Sequence, residues 1–229
     1  IGNILNVKSV SDLCQKYNSL FHTDAVQAVG HYKIDLKSIK IDFLSSAGHK
    51  FHGPKGVGFT YINKLTKIKS FICGGPQERG LRAGTESVHN IVGMTKALEI
   101  ADRNMEQEAK YVLSIKEYMI KSLRKLFPDI HFNGESGDIQ KSTYTILNVC
   151  FPISNEKAAM LDFNLDLKGI ACSKGSACQS GSSEGSHVLS EIQSEDQKKF
   201  PSVRFSFSHD NKVNEVDYLI QSLKELINT

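Results

Sequence analysis

The run from Ser45 to Gly58, SSAGHKFHGPKGVG, constrains this chain more than any other stretch of it. The apolar residues Ile41 to Leu44 lead into it as a short strand. Gly48, Gly53, Pro54 and Gly56 then rule out a helix, and Gly56 to Ile62 returns as a second strand. The loop between them presents Lys50, with His49 before it, at a strand end. A lysine boxed in by such turns is placed for covalent work, because its amine can form a Schiff base once it loses its proton. A third strand-like run, Leu20 to Val26, ends on His22-Thr23-Asp24-Ala25-Val26-Gln27. Strands separated by turn material in this way predict an α/β core, whose ligands gather at the strand ends.

At 229 residues, 40% hydrophobic and 23% charged, the chain can bury a substantial core and form one large or two small domains. Its formal charge of +3 is small, and its Lys and Arg positions are scattered, so no nucleic-acid partner is expected. No apolar stretch approaches the roughly 18 residues of a membrane helix, and no signal-type segment opens the chain. A cytoplasmic protein with no membrane association is expected. Five cysteines, an odd number with no C-x-x-C pair, fit reduced thiols better than a disulfide framework or a metal site. The chain starts at Ile1 and enters an apolar-polar stretch at once, which suggests a piece of a longer protein.

Helical spacing of Val10, Leu13, Cys14 and Tyr17 predicts a short helix within 9–20, with Ser11 and Asp12 available as caps. After an arginine-bearing loop through Gly74-Gly75-Pro76 and Gly80 to Gly84, two helical patterns follow. One covers Val88 to Met105, and the other runs through Val112 and Leu126 to a stop at Pro128. A domain junction falls inside this helical region, giving domains 1–104 and 105–229. Beyond it, Thr143 to Phe151 reads as a strand, Lys157 to Leu167 as an amphipathic helix and Ser202 to Phe207 as an alternating strand. A last helix carries Val213, Val216, Leu219, Ile220, Leu223 and Ile227, so the second domain is a small α+β unit.

These residues can form a pyridoxal phosphate site. A carboxylate at Asp24 can keep a pyridine nitrogen protonated, and the protonated ring then accepts electrons. Gln27 can reach the ring's phenolic oxygen, His49 the phosphate, and Lys50 the aldehyde. Each has a plainer reading taken alone: a capped strand end, a surface amide, a satisfied core histidine and an exposed lysine. Proximity of the four in one pattern favours the cofactor. Cys178 lies among Ser and Gly in CSKGSACQSGSSEGS, a linker-like composition suited to a travelling thiol, the plainer reading being an incidental exposed cysteine. Cys172 ends an apolar run and reads as a small buried hydrophobe. In PSVRFSF, Arg204 points away from Val203 and Phe205. It suits either a bidentate carboxylate or a structural ion pair.

Five ordered motifs resemble one family, the NifS/IscS-type cysteine desulfurases of the class V aminotransferases. They are His22 to Gln27, Gly48 to Gly56, Gln77 to Thr85 (QERGLRAGT), Gly175 to Cys178, and Ser202 to Ser206. The resemblance implies a fold-type I pyridoxal-phosphate enzyme: the remainder of the large domain followed by a small α+β C-terminal domain. It implies Lys50 as the Schiff-base lysine, Asp24 at the ring nitrogen, Gln27 at the ring oxygen and His49 at the phosphate. It also implies Thr85 at the cofactor phosphate of a homodimer partner, Cys178 as sulfur acceptor and Arg204 at the carboxylate of L-cysteine. The cysteine-bearing segment resembles that of relatives handing sulfur to an iron-sulfur scaffold or another acceptor protein.

Two departures stand out. Ala47 occupies the place where the family commonly has a phosphate-binding serine, and the family's N-terminal ring-stacking histidine and phosphate loop would precede Ile1. The implied reaction moves sulfur from L-cysteine to Cys178 and releases L-alanine. Alternatives are a selenocysteine lyase, a class V aminotransferase without need of Cys178, and a non-catalytic fragment serving dimerisation and scaffold docking.

Overall fold

The computed structural model describes residues 1–153, 160–174 and 186–228. It forms two compact units, one spanning Asn6–Gln107 and the other combining Ile1–Leu5 with the chain from Glu108 onward.

The first unit begins with helix α1, Val7–Lys16. Its N-cap is Asn6, whose side-chain oxygen accepts the Ser9 N–H at 3.0 Å. Ser11 does not cap the helix. It is buried one turn further on and donates to the Lys40 carbonyl at 2.8 Å, while Asp12 pairs with Lys8. Strands β1 (His22–Asp24), β2 (Phe43–Ala47) and β3 (Gly58–Ile62) form one sheet in that order. The β1–β2 pair is parallel and the β2–β3 pair antiparallel. The first strand is shorter than the apolar run around it. After Asp24 the N–H groups of Ala28 and Val29 turn back onto the Ala25 carbonyl, so the ladder gives way to a helical turn. Phe21, Ala25, Val29, Ile41, Leu44, Phe51 and Met94 form the core. Buried Asp42 is satisfied by the Phe21 N–H at 2.9 Å and the Thr66 hydroxyl at 3.0 Å.

Helix α2 runs unbroken from Val88 to Leu126 over 39 residues, where the sequence suggests two patterns. No glycine or proline interrupts it after Gly93, and it ends just before Phe127-Pro128 because a residue preceding proline is disfavoured in helix. The boundary between the two units falls within it.

In the second unit, β4 (His131–Phe132), β5 (Ile146–Cys150) and β6 (Ser202–Ser206) form an antiparallel sheet in that order. Among the described residues its helices, besides the C-terminal part of α2, are α3 (Leu161–Leu167), α4 (His187–Ile192) and α5 (Val213–Asn228). Ile115, Met119, Leu123, Leu147, Phe151, Leu165, Val203 and Leu223 are among its fully packed core residues. Phe151 meets Phe127 and Phe205 edge-on, with ring centroids 5.6 and 6.3 Å apart. The strand expected from Thr143 starts three residues later, because the Thr143 N–H is taken by the Gly2 carbonyl at 2.7 Å. With Ile4 N–H to the Lys141 carbonyl at 3.1 Å and Glu135 N–H to the Asn3 side chain at 2.9 Å, that bond joins Ile1–Leu5 to this unit. Among the described residues, no helix is long and apolar enough to cross a membrane.

Candidate functional site

Because β1 and β2 run parallel, their C-terminal ends open on the same side of the sheet. Asp24 ends β1 opposite Ser45, and the Ala25 N–H donates to the Ser45 carbonyl at 2.9 Å. Two residues past Ser45 the strand turns into a single 3-10 turn, Gly48–Phe51, which carries His49 and Lys50. Gly48 N–H donates to the Val57 carbonyl and Gly53 N–H to the Gly48 carbonyl, both at 2.9 Å. His52 closes the turn in a left-handed conformation, φ 65°. Buried Phe51 roots the turn in the core and leaves His49 exposed and Lys50 half-buried. The Lys50 carbonyl is in turn held by His31 Nε2 at 3.1 Å.

Asp24 uses one oxygen locally, accepting the Val26 N–H on Oδ1 at 2.9 Å; Oδ2 has no partner among the described residues. The strand-end cap and a ligand role are thus compatible in one carboxylate. Gln27 is exposed on the turn that follows. His22 shares the Asp24 face, with its Nε2 3.0 Å from the Ser45 hydroxyl. Ala47 lies on that face as well. Ser46 points the other way, its hydroxyl buried and without a partner among the described residues, so it does not replace the hydroxyl absent at Ala47.

Thr85 is exposed in the same unit, on the loop between β3 and α2. Glu78 and Arg79 are consecutive left-handed residues with φ 49° and 57°, a costly backbone for residues bearing a Cβ. The loop is tied by Gln77, whose side-chain oxygen accepts the Gly84 N–H at 3.1 Å.

Arg204 belongs to the second unit. Val203 and Phe205 on either side of it are buried in the core, so its side chain takes the opposite face of β6, as the alternation predicts. Its Nε is buried without a partner, and Nη2 donates to the Ser173 hydroxyl at 3.3 Å. Among the described residues it has no carboxylate partner. Cys172 is half-buried against the core, and its thiol is pushed up to about 11 by burial and by the nearby carboxylates of Asp162 and Asp166. Cys178 lies outside the described residues. The sequence does not flag His31 or Ser173, because their partners are 19 and 31 positions away. Only the fold brings them together.

Pyridoxal phosphate needs a carboxylate for its ring nitrogen, an amine for its aldehyde, and polar donors for its phenolic oxygen and phosphate. The ends of β1 and β2 supply Asp24 with an open oxygen, the half-buried amine of Lys50, the Gln27 amide and the His49 imidazole. The residues present fit the group, with one hydroxyl fewer at Ala47.

The architecture is the α/β fold of fold-type I pyridoxal-phosphate enzymes. Residues 1–219 match the class-V aminotransferases, and the chain belongs to that family. It is 40% identical over 227 residues to a cysteine desulfurase IscS of Clostridium botulinum, covering 99% of this chain and 56% of the relative. Among solved structures it is similar to a NifS-like protein at 33% identity and TM-score 0.84, covering 100% of this chain and 58% of the other. It is also similar to a NifS-like protein from Rickettsia africae at 26% identity and TM-score 0.83, covering 100% of this chain and 59% of the other. The chain spans a little over half the length of the curated relatives it matches.

Proposed function

We propose that the protein containing this chain is a pyridoxal-phosphate-dependent cysteine desulfurase, converting L-cysteine and an enzyme thiol into L-alanine and an enzyme persulfide. The observation that carries this reading is the parallel β1–β2 register, which brings Asp24 to the strand end from which the His49–Lys50 turn departs. Kinship with a protein named cysteine desulfurase supports it.

In this reading Lys50, Asp24, Gln27 and His49 hold the cofactor, which when bound supplies an electron sink for charge developing on the substrate. The Asp24 carboxylate would pair with the ring nitrogen and favour its protonated form. The Lys50 amine, once neutral, takes up and returns protons at the substrate carbons, as its position on a short turn rooted by Phe51 allows. The Arg204 guanidinium would take the substrate carboxylate through a bidentate, charge-assisted contact. Cys178, as thiolate, attacks the substrate sulfur. The S–S bond forms as the C–S bond breaks, and a proton delivered to the former Cβ completes L-alanine.

Thr85 and the strained loop before it would serve the cofactor phosphate of a second copy in a homodimer. An iron-sulfur scaffold or another acceptor protein would then collect the persulfide sulfur. The unpaired thiols of Cys14, Cys73, Cys150 and Cys172 suit a reducing compartment such as the cytoplasm. Residues 1–104, apart from Ile1–Leu5, which hydrogen-bond to the other unit, would complete the cofactor-binding domain, and 105–229 would form the domain bearing Arg204 and Cys178.

The test uses the full-length protein loaded with pyridoxal phosphate and given L-cysteine and a reductant. Equal amounts of alanine and sulfide are expected. Cys178→Ala should abolish the persulfide and leave the cofactor spectrum unchanged, and borohydride should fix the cofactor to Lys50. Label on Lys55, or undiminished sulfur transfer by Cys178→Ala, would refute the assignment.

A further inference from the structure

Ser173 and Arg204 face each other across an antiparallel bridge. The Arg204 N–H donates to the Ser173 carbonyl at 2.7 Å, and the Ser173 N–H donates to the Arg204 carbonyl at 3.1 Å. Residues opposed in this way carry their side chains on the same face, only a few ångströms apart. The backbone therefore sets the Ser173 hydroxyl beside the guanidinium before any side chain chooses a rotamer, and Nη2 donates to it at 3.3 Å.

The Arg204 Nε–H is buried and has no acceptor among the described residues, a costly state for a charged donor that an acceptor brought by a ligand would relieve. The Nε–H and one Nη2–H of a guanidinium lie parallel and match the two oxygens of a carboxylate. Nη2 has two hydrogens, so it can keep Ser173 on one while offering the other. An arginine side chain otherwise rotates freely about several bonds, and its fork is selective only while the plane is held.

We propose that Ser173 is a positioning residue that holds the Arg204 plane with its Nε–H edge turned to the substrate carboxylate. The proposal rests on the reading of Arg204 as carboxylate anchor given above. Ser173 acts through Arg204 and touches no reacting atom. Because only a hydroxyl acceptor at this bridge position is required, threonine replaces serine and alanine does not.

The experiment uses the full-length, cofactor-loaded protein and measures L-alanine binding by calorimetry, KM and kcat for L-cysteine, and binding of cysteamine, which has the amine and thiol but no carboxylate. Ser173→Ala is expected to weaken L-alanine binding and raise KM about tenfold, with kcat and cysteamine binding unchanged. Ser173→Thr should stay within about twofold of the parent, since it keeps the acceptor. Unchanged alanine affinity in Ser173→Ala, or equal weakening of alanine and cysteamine, overturns the proposal. A parent protein that binds L-alanine but makes none from L-cysteine refutes the desulfurase reading, and the Ser173 binding series then decides the proposal by itself. If Arg204→Ala binds L-alanine as well as the parent, the anchor reading fails and the proposal fails with it.

Discussion

Gly30 packs directly on Phe51. Its φ is 82°, and a Cβ added there would come within 2.6 Å of the Phe51 Cβ. This contact seats the turn that follows Asp24 and Gln27 against the turn that carries His49 and Lys50, and His31, the next residue, reaches the Lys50 carbonyl. Two parts of the candidate site that are 26 residues apart in sequence, from Asp24 to Lys50, are thereby held by one close approach that only glycine permits.

Gly30→Ala should therefore cost about 2–4 kcal/mol, combining an alanine forced into a left-handed backbone with overpacking against a fully buried ring. Gly56→Ala separates the two terms, because Gly56 has a similar φ of 80° but open space where a Cβ would go. It should cost only about 1–2 kcal/mol. Urea unfolding followed by circular dichroism measures both. Equal losses would show that the Phe51 contact is slack.

Thiol reactivity should separate the described cysteines sharply. Cys172 is pushed up to about 11 and buried Cys150 is also raised by desolvation, whereas Cys73 is exposed. At pH 8 about one in a thousand Cys172 side chains is thiolate, by the three-unit gap. Iodoacetamide should label Cys73 first and Cys172 slowly, with the Cys172 rate rising about tenfold per pH unit up to pH 10. Peptide mapping after timed quenching reads this out. A Cys172 rate that is flat between pH 8 and 10 would contradict the burial and the carboxylate neighbours as its controls.

Much of this arrangement is legible in the sequence because its signals are local. Glycines and a proline around Lys50 dictate a turn, alternation about Arg204 dictates which way it points, and Pro128 dictates where α2 stops. The two patterns read in 88–126 merge into one helix because no glycine or proline falls between Gly93 and Pro128 to break it. Residues such as β4, only His131 and Phe132, carry too short a pattern to register, and their pairing with Cys150 and Val149 is visible only in the fold. The same holds for polar partnerships across distance. Nothing in the composition around Ser173 points to Arg204, and nothing around Lys116 explains why a lysine is buried.

Gln193 illustrates a third long-range partnership. Its Nε2 donates to Asn133 Oδ1 at 2.8 Å and Ser202 Oγ at 2.9 Å, while Asn133 Nδ2 donates to Asn148 Oδ1 at 2.8 Å. Removing it leaves a buried amide oxygen unpaired. Gln193→Ala should destabilise by about 1–2 kcal/mol, and Gln193→Glu by more, since an ionised carboxylate cannot donate and faces an acceptor. The glutamate deficit should narrow below about pH 4, where the side chain gains a proton. Thermal unfolding of the three proteins at pH 7 and pH 4 tests the order, and an alanine variant as stable as the parent would show that the network contributes nothing.

Lys116 offers a pH signature of opposite sign to the usual acid loss. It is fully buried on α2, where its Nζ donates to the Ser142 hydroxyl and the Thr143 carbonyl, each at 2.7 Å. Two acceptors are what a neutral amine can satisfy, since –NH₂ has two hydrogens and –NH₃⁺ has three. Burial lowers its pKa from 10.5 to about 8, against a weaker upward pull from Asp138. Between those two values the unfolded chain holds a proton on this lysine that the folded chain has released. The unfolded state binds more protons there, so raising the pH favours the folded protein. The contribution is unfavourable below about pH 8, diminishes as the pH climbs, and is relieved by about pH 10.5. Lys116→Met keeps the length and removes the titration. The stability of the parent relative to Lys116→Met, measured by urea unfolding at pH 7, 8.5 and 10, should therefore increase with pH across the series. Parallel stability curves for the two proteins would mean that Lys116 keeps its proton in the folded state, with a further acceptor beside the Ser142 and Thr143 seen among the described residues.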